Sequence, residues 1–295
     1  MSYSLSELVI YPIKSIRGIS LASSQVDKAG LWGDRRYMLV KSDGECMTAR
    51  THPTLILIEA ESAESTESAE STESAESTES AIWQLSHSST SSNLILDPTR
   101  FPDNYEDVVV WENTVNGQRV LEEADAWFSK IVGESVKLIF FGDNSERYTS
   151  RRPEEPVAFA DGYPFLLTTQ ASLLELNRTC PEHIEMAQFR PNLVIKGNKP
   201  FEEDSWKRIK IGEVEFENVK PCIRCIFTTL NPTTAERLAK GEPLKTLGKF
   251  RLLDNKGITF GINMIALNTG KIHLDDKVEV LEHQEPDRYL DRRKK

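Results

Sequence analysis

Cysteine is scarce in this chain, with four residues out of 295, at positions 46, 180, 222 and 225. Their uneven spacing offers no disulfide framework and suits a reducing compartment. Histidine is almost as sparse: five residues, at 52, 87, 183, 273 and 283, show no paired spacing. A structural zinc site, which takes about four ligands at regular offsets, therefore lacks its donors. No apolar run approaches the roughly 18 residues of a membrane-spanning helix, so no membrane partner is expected. The opening MSYSLSE holds neither a basic stretch nor an apolar core and does not read as a secretory signal. A glycine-rich nucleotide fingerprint and an iron–sulfur cysteine set are missing too. The expected locale is the cytoplasm.

Positive charge is also short, with 36 Lys and Arg against 46 Asp and Glu, a formal balance of −10. One segment accounts for most of the deficit. Residues 61–80 repeat Glu-Ser-Ala-Glu-Ser-Thr and hold seven glutamates with no base. Without them the chain carries 39 acids against 36 bases. A near-neutral body gives no compositional support for nucleic-acid binding. The repeat has no apolar stripe to dock, and its composition reads as a solvated loop that expands a hairpin.

The rest of the pattern is β-rich. Strands are expected at 5–11, 20–26, 36–40, 82–85, 93–96, 108–111 and 136–141, with 47–49 returning from the turn at 42–44. In the second half they are expected at 165–169, 193–195, 209–211, 214–216, 226–227, 257–267 and 277–281. Two helices interrupt them. Leu121, Ala124, Trp127, Phe128 and Ile131 share a face over 122–132, and Leu173, Leu174 and Leu176 mark 170–178. The fold class is mainly β (α+β), a barrel or sandwich with a few short helices. The charged tail at 284–295 reads as a frayed end or linker stub.

The densest chemical signal is Lys220-Pro221-Cys222-Ile223-Arg224-Cys225. A thiolate beside a guanidinium is poised as a nucleophile, a redox centre or a soft metal ligand. A thioredoxin-like dithiol would open a helix, whereas Ile-Phe-Thr-Thr follows here and reads as strand. Two buried cysteines acting as small hydrophobes remain the plain alternative. The motif alone does not choose.

Five further runs do. Tyr11-Pro12-Ile13-Lys14-Ser15-Ile16-Arg17-Gly18, Gly33-Asp34-Arg35-Arg36 and Met47-Thr48-Ala49-Arg50 resemble the N-terminal β-barrel region of MOSC proteins. Phe159-Ala160-Asp161-Gly162-Tyr163-Pro164, Gln188-Phe189-Arg190-Pro191-Asn192 and the cysteine motif resemble the MOSC domain itself. The set is most similar to the YcbX-like and mitochondrial amidoxime-reducing component family, over residues 5–281. The resemblance implies a MOSC N-terminal β-barrel region at 1–135 (with 61–80 as an acidic low-complexity loop), a MOSC domain at 136–283 and a tail at 284–295.

It also implies molybdenum cofactor (Mo-molybdopterin) and a detoxifying reductase of N-hydroxylated compounds such as hydroxylamines, amidoximes and N-hydroxylated bases. A non-catalytic cofactor carrier or sulfur-transfer protein is the alternative. By family position Cys225 is the metal's thiolate ligand and catalytic residue. Lys14, Ser15, Arg35, Asp161, Gly162, Tyr163, Arg190, Ile223, Arg224 and Asn263 are the implied cofactor-binding residues. Asn263 stands where mitochondrial relatives have an aromatic. YcbX-type relatives often carry a C-terminal ferredoxin domain, but no cysteine follows Cys225 here. No iron–sulfur cluster in this chain is expected, nor pyridoxal phosphate. A separate electron-donor protein, a flavoprotein reductase or ferredoxin, is implied.

Overall fold

The structure, a computed structural model, describes residues 3–63, 81–197, 199–253, 257–289 and 291–293. Its centre is set by one apolar strand from the N-terminus. Tyr3–Ile10 carries a bulge between Leu5 and Glu7, which shifts the alternation so that Leu5, Leu8 and Ile10 all turn inward. This strand sits between Leu193–Lys196 and Lys277–His283, both from the second half of the sequence. Trp206–Ile211, Val214–Ile223, Gly257–Ala266 and Phe165–Thr169 continue the ring. Phe165–Thr169 then pairs with Leu193–Lys196, so seven strands close a barrel.

That closing pair is parallel and needs a crossover, supplied by the helix Gln170–Thr179. Thr169 caps the helix by accepting from the Ser172 amide at 3.2 Å. Glycine permits the other closure. Gly261 has φ +77°, and a Cβ there would stand 2.6 Å from the Leu167 carbonyl.

A second, four-stranded sheet runs Tyr37–Lys41, Val136–Phe140, Asn113–Arg119, Tyr105–Val110. Met38 and Val40 face Val108, Val110 and Ile139, while Tyr37 and Leu39 turn into the main core. Burial on both faces explains the unbroken apolar run there. The helix Glu122–Val132 covers one face with Ala124, Trp127 and Phe128, and stops at Gly133 in the left-handed conformation, φ 80°. Val136–Phe140 belongs to this sheet, so the division at 135/136 is not a break between sheets. Similarly, Gly270–His273 pairs with Ser23–Asp27. The two halves of the sequence interleave.

Glu59–Ser62 and Trp83–Ser86 form an antiparallel hairpin, paired from Glu59 with Ser86 to Ser62 with Trp83. The acidic repeat thus begins within a strand, and 64–80, the remainder of the expected loop, lies outside the described residues. No helix among the described residues is long and apolar enough to cross a membrane.

Four expectations need correction. Residues 226–227 are not a strand: Ile226–Thr229 is a turn of 3-10 helix. Thr228 and Thr229 donate their hydroxyls to the carbonyls of Cys225 and Ile226, at 3.0 and 2.7 Å, and this local bonding overrides β propensity. Residues 20–26 split into Ile19–Ser20 and Ser23–Asp27. Residues 47–49 make no strand beyond a bridge from Val40 to Cys46. The tail is docked rather than frayed. Tyr289 bridges Leu253 and receives the Thr259 hydroxyl at 3.1 Å, and Arg293 reaches Glu175 at 2.5 Å.

Candidate functional site

Three turns at the strand ends carry the N-terminal contribution. Lys14 and Ser15 follow the first barrel strand, where the Lys14 amide donates to the Tyr37 carbonyl at 2.8 Å. Arg35 is held by its own amide on the Tyr11 carbonyl at 2.8 Å. Ser15, Arg35 and Arg190 all have positive φ, at 78°, 49° and 55°. Non-glycine residues in this region are strained, and such strain collects at functional sites.

From the barrel side, Val214–Ile223 slips register between Asn218 and Lys220 and again between Pro221 and Ile223. The bulges re-aim Lys220 and Cys222 and give Pro221 a position compatible with its missing amide. Asn263 lies opposite Lys220 in the partner strand.

These elements enclose a cavity of about 410 Å³. Every residue singled out above lines it: Lys14, Ser15, Arg35, Asp161, Gly162, Tyr163, Arg190, Ile223, Arg224, Cys225 and Asn263. Thr48, Arg50, Phe189, Asn192, Lys220, Cys222 and Phe227 join them. Six cations thus face a single lining carboxylate, Asp161.

Lys14 is 5% exposed and donates to the Phe159 carbonyl at 2.9 Å and to Asp161 at 2.5 Å. Burial pushes its ammonium down, against the pull of Asp161. The Asp161 side chain is 63% exposed. Desolvation pushes its carboxyl up, but Lys14, with Arg50 and Arg35, outweighs this and holds it below the usual carboxylate range. Arg50 reaches Asp161 at 3.1 Å and lies 4.2 Å over the Trp111 ring.

Tyr11 organises two of the arginines from behind. Its buried ring has the Arg35 guanidinium at 4.3 Å and that of Arg190 at 3.9 Å. Burial pushes its phenol up to about 12. Arg35 is fixed by Asp34, by Asn192 Oδ1 at 2.9 Å and by the Arg190 carbonyl at 3.2 Å. Arg190 donates to the Ile16 carbonyl at 2.5 Å, and burial pushes it down to about 10. Among the described residues Arg190, Lys220 and Arg224 have no carboxylate partner. Lys220 instead stands 5.0 Å over the Tyr163 ring.

The two cysteines are not equivalent. Arg224 donates to Cys222 Sγ at 2.8 Å and to the Phe189 carbonyl at 2.6 Å, while its Nε is buried without a partner. Cys225 Sγ has no hydrogen-bond partner among the described residues, and its side chain is half-buried. No three His, Cys, Asp or Glu side chains converge there or elsewhere among the described residues.

Sequence reasoning passed over several contributors. Arg50 and Asn192 stood in the quoted motifs, and that was a signal to include them. Arg147 carried none. It is 6% exposed and shapes the Asp161 loop by donating to the carbonyls of Ala158, Ala160 and Asp161, at 2.8, 2.5 and 3.0 Å.

The MOSC N-terminal beta barrel domain profile matches residues 2–135, and that of the MOSC domain matches 154–279. The mouse protein named mitochondrial amidoxime-reducing component 1 is 31% identical, over 94% of this chain and 82% of its own length. The rat component 2 is 33% identical, over 93% and 82%. With both domains matched in order and this identity along nearly all of its length, the chain belongs to the MOSC-domain family of the amidoxime-reducing components.

Proposed function

We propose that this protein binds molybdenum cofactor and reduces N-hydroxylated compounds by cleaving the N–O bond. The observation that carries the reading is the cavity's charge. Among the described residues six cations meet one carboxylate, three of the cations have no carboxylate partner, and an unengaged thiol stands in the wall. A buried excess of positive charge is costly unless an anion fills it. A pterin bearing a phosphate and a metal that takes one soft thiolate matches both features. The orphaned Arg224 Nε gives a further donor seeking an acceptor. The names of the relatives supply the substrate class.

Lys14, Arg35 and Arg190 would hold the phosphate and the pterin edges, and Cys225 would ligate the metal. When bound, the cofactor supplies the two-electron redox chemistry. The protein binds, orients and supplies charge. Tyr11 and Asn192 keep two guanidinium forks aimed, and Asp161 keeps the Lys14 ammonium in place. Reduction of an N-hydroxyl group to an amine and water consumes two protons as well as two electrons. Lys220 Nζ, without a carboxylate partner among the described residues, can hold a proton against the departing oxygen.

Protein made with intact cofactor biosynthesis should contain stoichiometric molybdenum and pterin. It should reduce benzamidoxime or hydroxylamine with reduced viologen. Loading without turnover would favour the carrier reading, and protein without molybdenum from that host would refute the proposal.

A further inference from the structure

A residue outside the cavity's lining ties two of its wall segments together. Arg237, in the loop after Cys225, donates from Nη1 to the Ile226 carbonyl at 3.1 Å and to Thr229 Oγ1 at 2.9 Å. From Nη2 it donates to the Arg50 carbonyl at 2.8 Å, 187 positions away in sequence. One planar fork therefore joins the turn that begins at Cys225 to the segment that carries Arg50. Arg50 continues the chain through its own guanidinium to Asp161 at 3.1 Å, and Asp161 continues it to Lys14 at 2.5 Å. The linked residues make a belt from the turn that Cys225 opens to the cationic wall, across the two halves of the sequence.

We infer that Arg237 is a positioning residue, setting the orientation of Cys225 relative to the Arg50–Asp161–Lys14 side of the cavity. Without it, the local carbonyl bonds keep the 3-10 turn folded. Nothing else in the belt then ties that turn to Arg50. Lysine cannot substitute fully, because one ammonium does not reproduce a fork that serves acceptors on two segments. The inference about the cofactor rests on the proposed function, whereas the inference about the thiol does not.

The test uses both states of the full chain. In cofactor-free protein, iodoacetamide labelling is followed by tryptic mass spectrometry. Cleavage after Arg224 puts Cys222 and Cys225 on separate peptides, so each thiol is read alone. Arg237→Ala should speed labelling of Cys225 about tenfold, the equivalent of one lost charge-assisted hydrogen bond, with Cys180 unchanged as internal reference. Arg237→Lys should fall between. In molybdenum-loaded protein, Arg237→Ala should shift the electron paramagnetic resonance signal of the half-reduced metal and hasten cofactor loss on gel filtration. An unchanged Cys225 labelling rate overturns the inference, and so does equal acceleration at all four cysteines, which would report general loosening. If labelling responds but no cofactor binds, the belt stands and the proposed function fails.

Discussion

Cys222 and Cys225 flank a common arginine, two positions before Arg224 and one after it, and they differ in how they meet it. Arg224 engages the first thiol and leaves the second facing the cavity. Cys225→Ala should therefore abolish N-reduction, whereas Cys222→Ala should keep measurable turnover and bound molybdenum. Equal losses of metal in the two variants would indicate a dithiol site. The spacing of the motif could not make this distinction, since either sulfur could have met the guanidinium. The site residues Lys14, Arg35, Asp161 and Arg190 were legible through motifs, because their charge and local strand context are properties of short segments. Their supports were not. Tyr11 lies behind two arginines, and Arg147 holds a loop beginning eleven positions on, contacts that only folding brings about.

Among the elements, the hairpin around the acidic repeat stands on its own pairing, with Ala60, Trp83 and Leu85 buried. Replacing residues 64–80 by a short glycine-containing turn should leave cofactor content and thermal stability nearly unchanged. A large fall in melting temperature would mean that the segment packs on the body. The tail makes the opposite case. It folds over a buried cluster in which Arg251 meets Asp204 at 2.6 and 3.0 Å and Ser172 donates to Glu203 at 2.7 Å. Burial, with Asp204 beside it, pushes the Glu203 carboxyl up to about 7. Between the ordinary value of 4.5 and that value the folded protein holds a proton that the unfolded chain has released. This stabilisation is complete below the lower value and lost as pH rises through the higher one. Glu203→Gln cannot ionise, so its melting temperature should gain on the wild type by a few degrees between about pH 5 and pH 8. Parallel melting curves across that range would show that Glu203 is not protonated in the folded protein.

At the scale of the whole molecule, the cavity wall holds exposed Ile223 with Arg50, Lys220 and Arg224, and exposed Ile226, whose carbonyl accepts from Arg237, follows Cys225 in the chain. Exposed apolar side chains together with positive charge suit transient docking of an acidic electron carrier. NADPH alone should give no turnover. Turnover driven by a protein donor should fall as ionic strength rises, and viologen-driven turnover should not fall with it. A donor rate that ignores salt would place the docking elsewhere. The composition and period-two patterning of the sequence were enough to determine a mainly β protein. Its motifs, spread over most of the chain, were enough to identify the family. Only tertiary structure decided that the first strand closes a barrel made by the second half of the chain. It alone decided that Ile226–Thr229 is a turn, that the tail is docked, and that Arg237 ties that turn to the segment carrying Arg50. The reason is physical: periodicity and charge are local quantities, while barrel closure and ion-pair partners depend on which distant segments share one buried surface.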